Sequence, residues 1–296
     1  MAKFDFRGVI APLVSTFTAD DEFDPVLYRK QVKEVLKAGV HGLSPSGSTG
    51  EGAMVEDEDL VQMIKIIKEE AGDKIPCVAG VIRPSTRFAV RTALAAKEAG
   101  ADALMVTPTF YNPLVPDLNG NYAFYKTLSD KVGLPIIIYN VVPQNVITVE
   151  DYTKISQIEN VIGIKQSNGG IWGFYDQKLA NGDKGLVYSA QDEFLYSTFA
   201  LGADGAICAI ISAFPEESVA MWDLTLEGKY DEAKKIQDKI WPVWKAVQGP
   251  QFPRRLKTAL RLLGKDYGYC RSPLTPATEE EIAKMKVAID AYLANK

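Results

Sequence analysis

Short apolar runs alternate with longer amphipathic ones along most of the chain. The apolar runs fall at 8–14 (GVIAPLV), 42–46 (GLSPS), 75–81 (IPCVAGV), 101–107 (ADALMVT), 134–140 (LPIIIYN), 161–165 (VIGIK), 185–190 (GLVYSA) and 204–210 (DGAICAI). Their near-continuous hydrophobicity suits strands buried on both faces. Helical periodicity lies between them: Leu60, Met63, Ile64 and Ile67 recur at i, i+3, i+4 and i+7. The stretches "TALAAKEAGAD" and "STFALGADG" each carry a glycine just ahead of the next strand, where a left-handed helix C-cap is expected. Eight strand–helix units in about 220 residues predict a (β/α)8 TIM barrel. The competing doubly wound open sheet usually carries GxGxxG after its first strand, and the sequence has none there. After residue 228 the pattern changes. "YDEAKKIQDKIWPVWKAVQ" places Ile236, Ile240, Val243, Trp244 and Val247 on one helical stripe, with a kink expected at Pro242. "RRLKTALRLLG" and "EEEIAKMKVAIDAYLANK" also read as helices. The expected organisation is a catalytic barrel over 1–228 with a C-terminal helical extension over 229–296 packed on it.

Composition narrows the function more than the fold. A net charge of −5 and a pI near 5.2 supply no basic field for nucleic acid. No run of about 18 apolar residues could span a membrane. The first stretch, "MAKFDFRGVIAPLVSTFTADDEFD", is broken by Pro12 and followed by acids, unlike a secretory signal. Cys77, Cys208 and Cys270 are widely spaced and odd in number, so a reducing cytoplasm is the expected compartment. The single histidine, His41, precedes a strand and reads as a loop or packing residue. A Ser-His-Asp triad or a multi-histidine metal site is therefore not expected, and no metal is assigned. Covalent chemistry falls to Lys, Tyr, Ser, Thr or carboxylates.

In a barrel, chemistry gathers at the C-terminal ends of the strands. Reading only those positions leaves a short set. Strand 2 runs into "SGSTGE", strand 4 into "TPTFYNP", strand 5 ends at Tyr139-Asn140, strand 6 at Lys165, and strand 7 runs into "SAQDE". Lys165 closes the apolar "VIGIK". A lysine in an apolar mouth is desolvated, which disfavours its charged form by as much as ~3–5 pKa units at full burial. The neutral amine can attack a ketone to form a Schiff base. The bland alternative is a solvated lysine beginning a loop. Tyr139, one strand away, offers a phenol to move protons to the carbinolamine and the leaving alkoxide, or simply an aromatic cap on the barrel.

The loop "HGLSPSGSTGEG" resembles a phosphate-binding loop, with Gly42 and Gly47 correctly spaced. Ser48 stands where that motif needs lysine, so triphosphate binding is poorly supported. The hydroxyls of Ser48 and Thr49, with the backbone N–H groups of the turn, suit a small anion such as the carboxylate of a 2-oxo acid. A Gly/Ser turn with no ligand is the structural alternative.

Taken in order, these residues resemble the dihydrodipicolinate synthase/N-acetylneuraminate lyase family of class I aldolases. The resemblance rests on "GSTGE" (47–51), "YN" (139–140), "GIKQS" (163–167) and "DE…LGADGAI" (192–207). It implies a Schiff base between Lys165 and pyruvate or another 2-oxo acid, formed without a cofactor. It implies Tyr139 as proton shuttle and Ser48 and Thr49 as carboxylate holders. Substrate-binding residues are expected at Thr49, Gly47, Ser167, Asp192, Glu193 and Ile207. In the family a tyrosine from a "TPxYYN"-type loop enters the neighbouring subunit's site. The counterpart "TPTFYNP" is one residue longer, making Tyr111 the match with Phe110 beside it. A homo-oligomer, dimer or tetramer, follows.

Within the family, "GSTGE" and "KQS" look more like the lyase branch than the synthase branch, which usually reads "GTTGE" and "KEA". The synthase branch carries an arginine shortly after "YNVP". Here "YNVVPQN" offers Gln144 and Asn145 instead, with Arg83 or Arg271 as possible substitutes. The lyases use a "GYDE"-type turn and a serine after strand 8. Here Gln191 replaces the aromatic, and Ala209 or Ile210 falls at the serine. The expected activity is an N-acetylneuraminate lyase-like aldol reaction of a 2-oxo-3-deoxy sugar acid. Alternatives are 4-hydroxy-tetrahydrodipicolinate synthase, a Schiff-base dehydratase or deaminase, and a non-catalytic 2-oxo-acid binder.

Overall fold

The computed structural model describes residues 4–295. Eight parallel strands lie at Gly8–Pro12 (β1), Gly42–Ser44 (β2), Val78–Val81 (β3), Ala103–Val106 (β4), Ile136–Asn140 (β5), Val161–Gln166 (β6), Leu186–Ser189 (β7) and Gly205–Ala206 (β8). They pair in the order β2-β1-β8-β7-β6-β5-β4-β3. A parallel bridge between Leu43 and Cys77 joins the two ends, with Leu43 N–H donating to Pro76 O at 3.0 Å. The sheet is thereby closed as the (β/α)8 barrel that the apolar runs predict. Each strand lies in its predicted run, except that β6 extends one residue further. β8 keeps only two residues because the chain after Ala206 turns into a short helix.

The helices of the outer layer are α1 (Pro25–Leu36), α2 (Asp57–Ala71), α3 (Thr86–Ala99), α4 (Leu118–Val132), α5 (Val149–Ile155), α6 (Gly170–Asn181), α7 (Leu195–Ala200), α8 (Ile210–Ala213) and α9 (Pro215–Leu226). Local sequence sets their limits. Leu60, Met63, Ile64 and Ile67 are all fully buried along α2. Gly100 ends α3 at φ +103°, a conformation open to glycine, with its N–H on Ala96 O.

Three further helices follow: α10 (Tyr230–Val247), α11 (Phe252–Leu262) and α12 (Glu279–Ala294). α10 runs through Pro242 rather than ending there. Ile240, Val243, Trp244 and Val247 are buried, and Leu256, Leu260, Met285 and Ile289 join them in one apolar core with the outward faces of the strands. No helix among the described residues is long and apolar enough to cross a membrane.

Strand alternation sorts the side chains. Ile138, Ile164 and Val187 point outward to the helices, whereas Ile10, Val78, Met105, Ile137, Tyr188 and Ile207 fill the barrel. Tyr139 pairs with Lys165, which pairs with Tyr188, so these three stand inward on adjacent strands.

Candidate active site

The inward face of β6 carries Lys165 because Ile164 before it faces the helices. Lys165 is 5% exposed. Its Nζ stands 3.6 Å from the ring centroid of Tyr139, so the aromatic face covers one side of the amine. The Tyr139 hydroxyl donates to Ser48 Oγ at 3.1 Å. Amine, phenol and serine hydroxyl, from three separate strand ends, thus form one contiguous group.

The turn after β2 holds Ser48 in place. Gly47 O accepts N–H groups from Gly50 (3.0 Å) and Gly52 (2.9 Å). A Cβ at Gly52 would lie 2.0 Å from Ser46 O, and one at Gly80 would lie 2.2 Å from the same atom. Glycine is required at both positions by this close backbone approach. Thr49 is buried and faces the cavity, whereas Gly47 lies behind it as the turn's acceptor.

At Lys165 opens a cavity of about 270 Å3, lined by Thr49, Tyr139, Val141, Ser167, Asp192, Glu193 and Ile207. Trp244 and Gln248 from the end of α10 and Phe252 from the start of α11 complete its wall. The helical stripe read from the sequence includes Trp244 and assigns no role to Gln248 or Phe252. Nothing local marks them as cavity residues, since only closure of the extension over the barrel mouth brings them there.

Asp192 begins a single 3-10 turn, Asp192–Phe194, ahead of α7. Its Oδ1 accepts the Ile210 N–H at 2.7 Å. Burial pushes its carboxyl up to about 7, and Glu193 adds to the rise, while the Ile210 and Ala209 N–H groups and Lys165 oppose it. A group at that value takes and gives protons at neutral pH. Asp192 and Glu193 are both half-buried in this wall.

Gln191, which stands in the place of an aromatic, is buried and donates Nε2 to Gln166 O (3.1 Å) and Ser167 O (3.3 Å), bracing the end of β6. Asn140 is likewise buried: its amide exchanges hydrogen bonds with Ile147, fixing the loop after β5. In that loop Gln144 is exposed, and Asn145 is buried against Asn121 and Thr109 O. Neither proposed substitute arginine is free. Arg83 donates to Gly52 O, Val55 O and Asp57. Arg271 donates to Asp21 O, Met54 O and Asp59. Among the described residues lining the cavity, Lys165 is the one cation. Tyr111, in the loop after β4, is 61% exposed and outside the lining, with Phe110 half-buried beside it. His41 sits at the opposite end of the barrel, where Nδ1 accepts the Val9 N–H at 3.1 Å.

The model of the Dihydrodipicolinate synthetase family matches residues 5–292. The chain is 34% identical over 275 residues to a 4-hydroxy-tetrahydrodipicolinate synthase of Methylobacterium radiotolerans, covering 92% of this chain and 91% of that one. It superposes on the chloride-inhibited dihydrodipicolinate synthase of Acinetobacter baumannii, complexed with pyruvate, with a TM-score of 0.92 at 29% identity over 97% and 99% of the two chains. It also superposes on a monomeric dihydrodipicolinate synthase variant, described as the first such, with a TM-score of 0.89 at 27% identity over 96% of each chain. A match over nearly the full length, on a barrel with a lysine at the end of its sixth strand, shows that this chain belongs to the dihydrodipicolinate synthetase family.

Proposed function

We propose that this protein is a class I Schiff-base enzyme in which Lys165 condenses with the ketone of pyruvate or a close 2-oxo acid. The observation that carries the reading is the Lys165–Tyr139–Ser48 group. Nζ attacks C2 of the 2-oxo acid, and the ketone oxygen takes a proton from the Tyr139 hydroxyl. Ser48, at 3.1 Å, replaces that proton. One of the two protons on the nitrogen then passes to that oxygen, which leaves as water, and a cationic imine remains. The imine withdraws electrons from C3, so a C3–H or C3–C4 bond can break to give an enamine. Thr49, facing the cavity, holds the carboxylate together with the N–H groups of its turn.

For the second substrate, the synthase names carried by relatives at 30–34% identity favour condensation of pyruvate with aspartate semialdehyde over an N-acetylneuraminate lyase-like reaction. One observation favours a second reading. The cavity offers no arginine for another carboxylate, while Asp192 and Glu193 can accept hydrogen bonds from hydroxyls. That wall suits a polyhydroxylated 2-oxo acid bearing a single carboxylate.

Tyr111 would enter the site of a second copy, which makes the working unit an oligomer. Incubation with pyruvate and borohydride, followed by peptide mass spectrometry, tests the covalent step. An adduct on Lys165 that disappears in Lys165→Ala is expected; labelling elsewhere, or none, refutes the reading.

A further inference from the structure

The last residue of the "GSTGE" turn, Glu51, takes no part in the chemistry above, yet its charge is buried. The Glu51 side chain is 0% exposed, and its Oε1 lies 2.5 Å from the ammonium of Lys257 in α11, itself 3% exposed. Glu51 Oε2 accepts the Arg271 N–H at 2.8 Å. Lys257 also donates to Tyr269 O. Its Nζ and the Arg271 guanidinium lie 5.2 Å and 4.1 Å from the centroid of the Phe17 ring. Both charges are thus compensated by partners from distant parts of the chain.

A buried pair of this kind is costly to desolvate, and an apolar pair of similar volume often gives equal or greater stability. What the pair adds is register. Glu51 has φ +56°, in the left-handed region that side-chain-bearing residues seldom adopt. Its N–H donates to Ser48 O at 3.2 Å, and the preceding carbonyl, Gly50 O, accepts Ser15 Oγ at 2.6 Å. Fixing both Glu51 oxygens therefore fixes the backbone three residues beyond Ser48. α11 contributes to the site a second time, because it begins at Phe252 in the cavity wall. One helix thus holds both the wall and the turn.

We propose that Glu51 and Lys257 are positioning residues, which pin the turn so that Ser48 Oγ meets the Tyr139 hydroxyl and Thr49 faces the carboxylate. The proposal rests on the Schiff-base reading, and its test separates the two. The rate of borohydride-trapped adduct formation on Lys165, and its dependence on pyruvate concentration, are measured in the full-length protein, in Glu51→Gln and in the double variant Glu51→Gln/Lys257→Met. Melting temperatures are recorded in parallel. Glu51→Gln is expected to slow adduct formation by about 10- to 100-fold and to raise the pyruvate concentration at half-saturation, because small misplacements of catalytic groups have effects of this size. The double variant, with no unpaired buried charge, is expected to recover melting temperature but not the rate. If Glu51→Gln does not fold, the double variant decides alone. Unaltered rate and saturation in a folded variant, or rate and melting temperature recovering together, overturns the proposal. Absence of adduct on Lys165 in the unmodified protein removes the Schiff-base reading itself, and the positioning role with it.

Discussion

Lys165 and Tyr139 occupy facing positions of adjacent parallel strands, and the amine lies over the ring while the hydroxyl at the ring's far edge bonds to Ser48. Ring and hydroxyl therefore make separate contacts: the ring covers the amine, and the hydroxyl bonds to Ser48.

Tyr139→Phe separates these contributions. It retains the ring and deletes the hydrogen bond to Ser48. Loss of a positioned proton donor typically lowers rate by ~10²–10⁴-fold. The loss of one partly buried hydrogen bond costs about 0.5–1.5 kcal/mol of stability. Steady-state kinetics on any turned-over 2-oxo acid, with a denaturant titration alongside, should show a large fall in kcat and a small change in unfolding midpoint. A small fall in kcat would remove Tyr139 from the proton path.

Much of this arrangement is legible in the sequence because apolar runs and strand alternation act together. Apolar runs mark the strands, and their period of two decides that Lys165 and Tyr139 face inward once Ile164 and Ile138 face out. The terminal residues of the runs are less legible. Residues 207–210 are as apolar as a strand, but Ile207, Cys208 and Ala209 line the cavity and Ile210 begins α8, so their burial does not come from a strand ladder. The wall residues Trp244, Gln248 and Phe252 and the Glu51–Lys257 pair depend on contacts between regions distant in sequence, which no local period encodes. The Glu51 side chain reads as one more acid in a polar turn until α11 is packed beneath it.

The turn itself should tolerate little. A methyl at Gly52 or Gly80 would meet Ser46 O at 2.0 or 2.2 Å, and that atom belongs to backbone that cannot swing away. Gly80→Ala is expected to cost at least ~2 kcal/mol through overpacking. It should also slow adduct formation on Lys165, since Ser48 moves with the turn. A denaturant midpoint equal to that of the unmodified protein would show that the turn relaxes freely.

Asp192 makes stability depend on pH. Its folded value, about 7, lies above the ordinary carboxylate range because burial disfavours the anion. The folded state therefore holds a proton that the unfolded state has released between about pH 4 and pH 7. With fewer protons bound in the unfolded chain, stability falls as pH rises through that window. Asp192→Asn keeps an oxygen for the Ile210 N–H and abolishes the titration. Melting temperatures from pH 4.5 to 8 should fall less steeply for Asp192→Asn than for the unmodified protein. Parallel curves would mean that Asp192 ionises normally.

Acceptor choice should follow the cation-free wall. With Lys165 occupied by pyruvate, a carboxylate on the second substrate finds no arginine in the lining. Charge-assisted hydrogen bonds contribute about 1.5–3 kcal/mol each, so the missing partner corresponds to roughly tenfold or more in affinity. Aspartate semialdehyde, sialate and a set of 2-oxo-3-deoxy sugar acids, assayed together for pyruvate consumed or released, rank the two readings by kcat/KM. If the unmodified protein already prefers the semialdehyde, the missing arginine does not limit the synthase reaction.

Tyr111 supplies the test of assembly. Its 61% exposure, beside Leu114 at 68%, leaves two exposed apolar side chains in the loop after β4. If Tyr111 completes a neighbour's site, Tyr111→Phe and Lys165→Ala homo-oligomers will each be impaired, the second completely. Mixing them under dissociating conditions and reassociating should regain activity. A Lys165→Ala subunit still supplies an intact Tyr111 to a Tyr111→Phe subunit that retains Lys165. Each such hybrid dimer has one complete site, so random reassortment at equal input makes half the dimers hybrids and restores roughly a quarter of full activity per subunit, as closed two-fold pairing requires. Mixed samples no more active than the average of their parents would place Tyr111 outside the partner's site and leave each barrel to work alone.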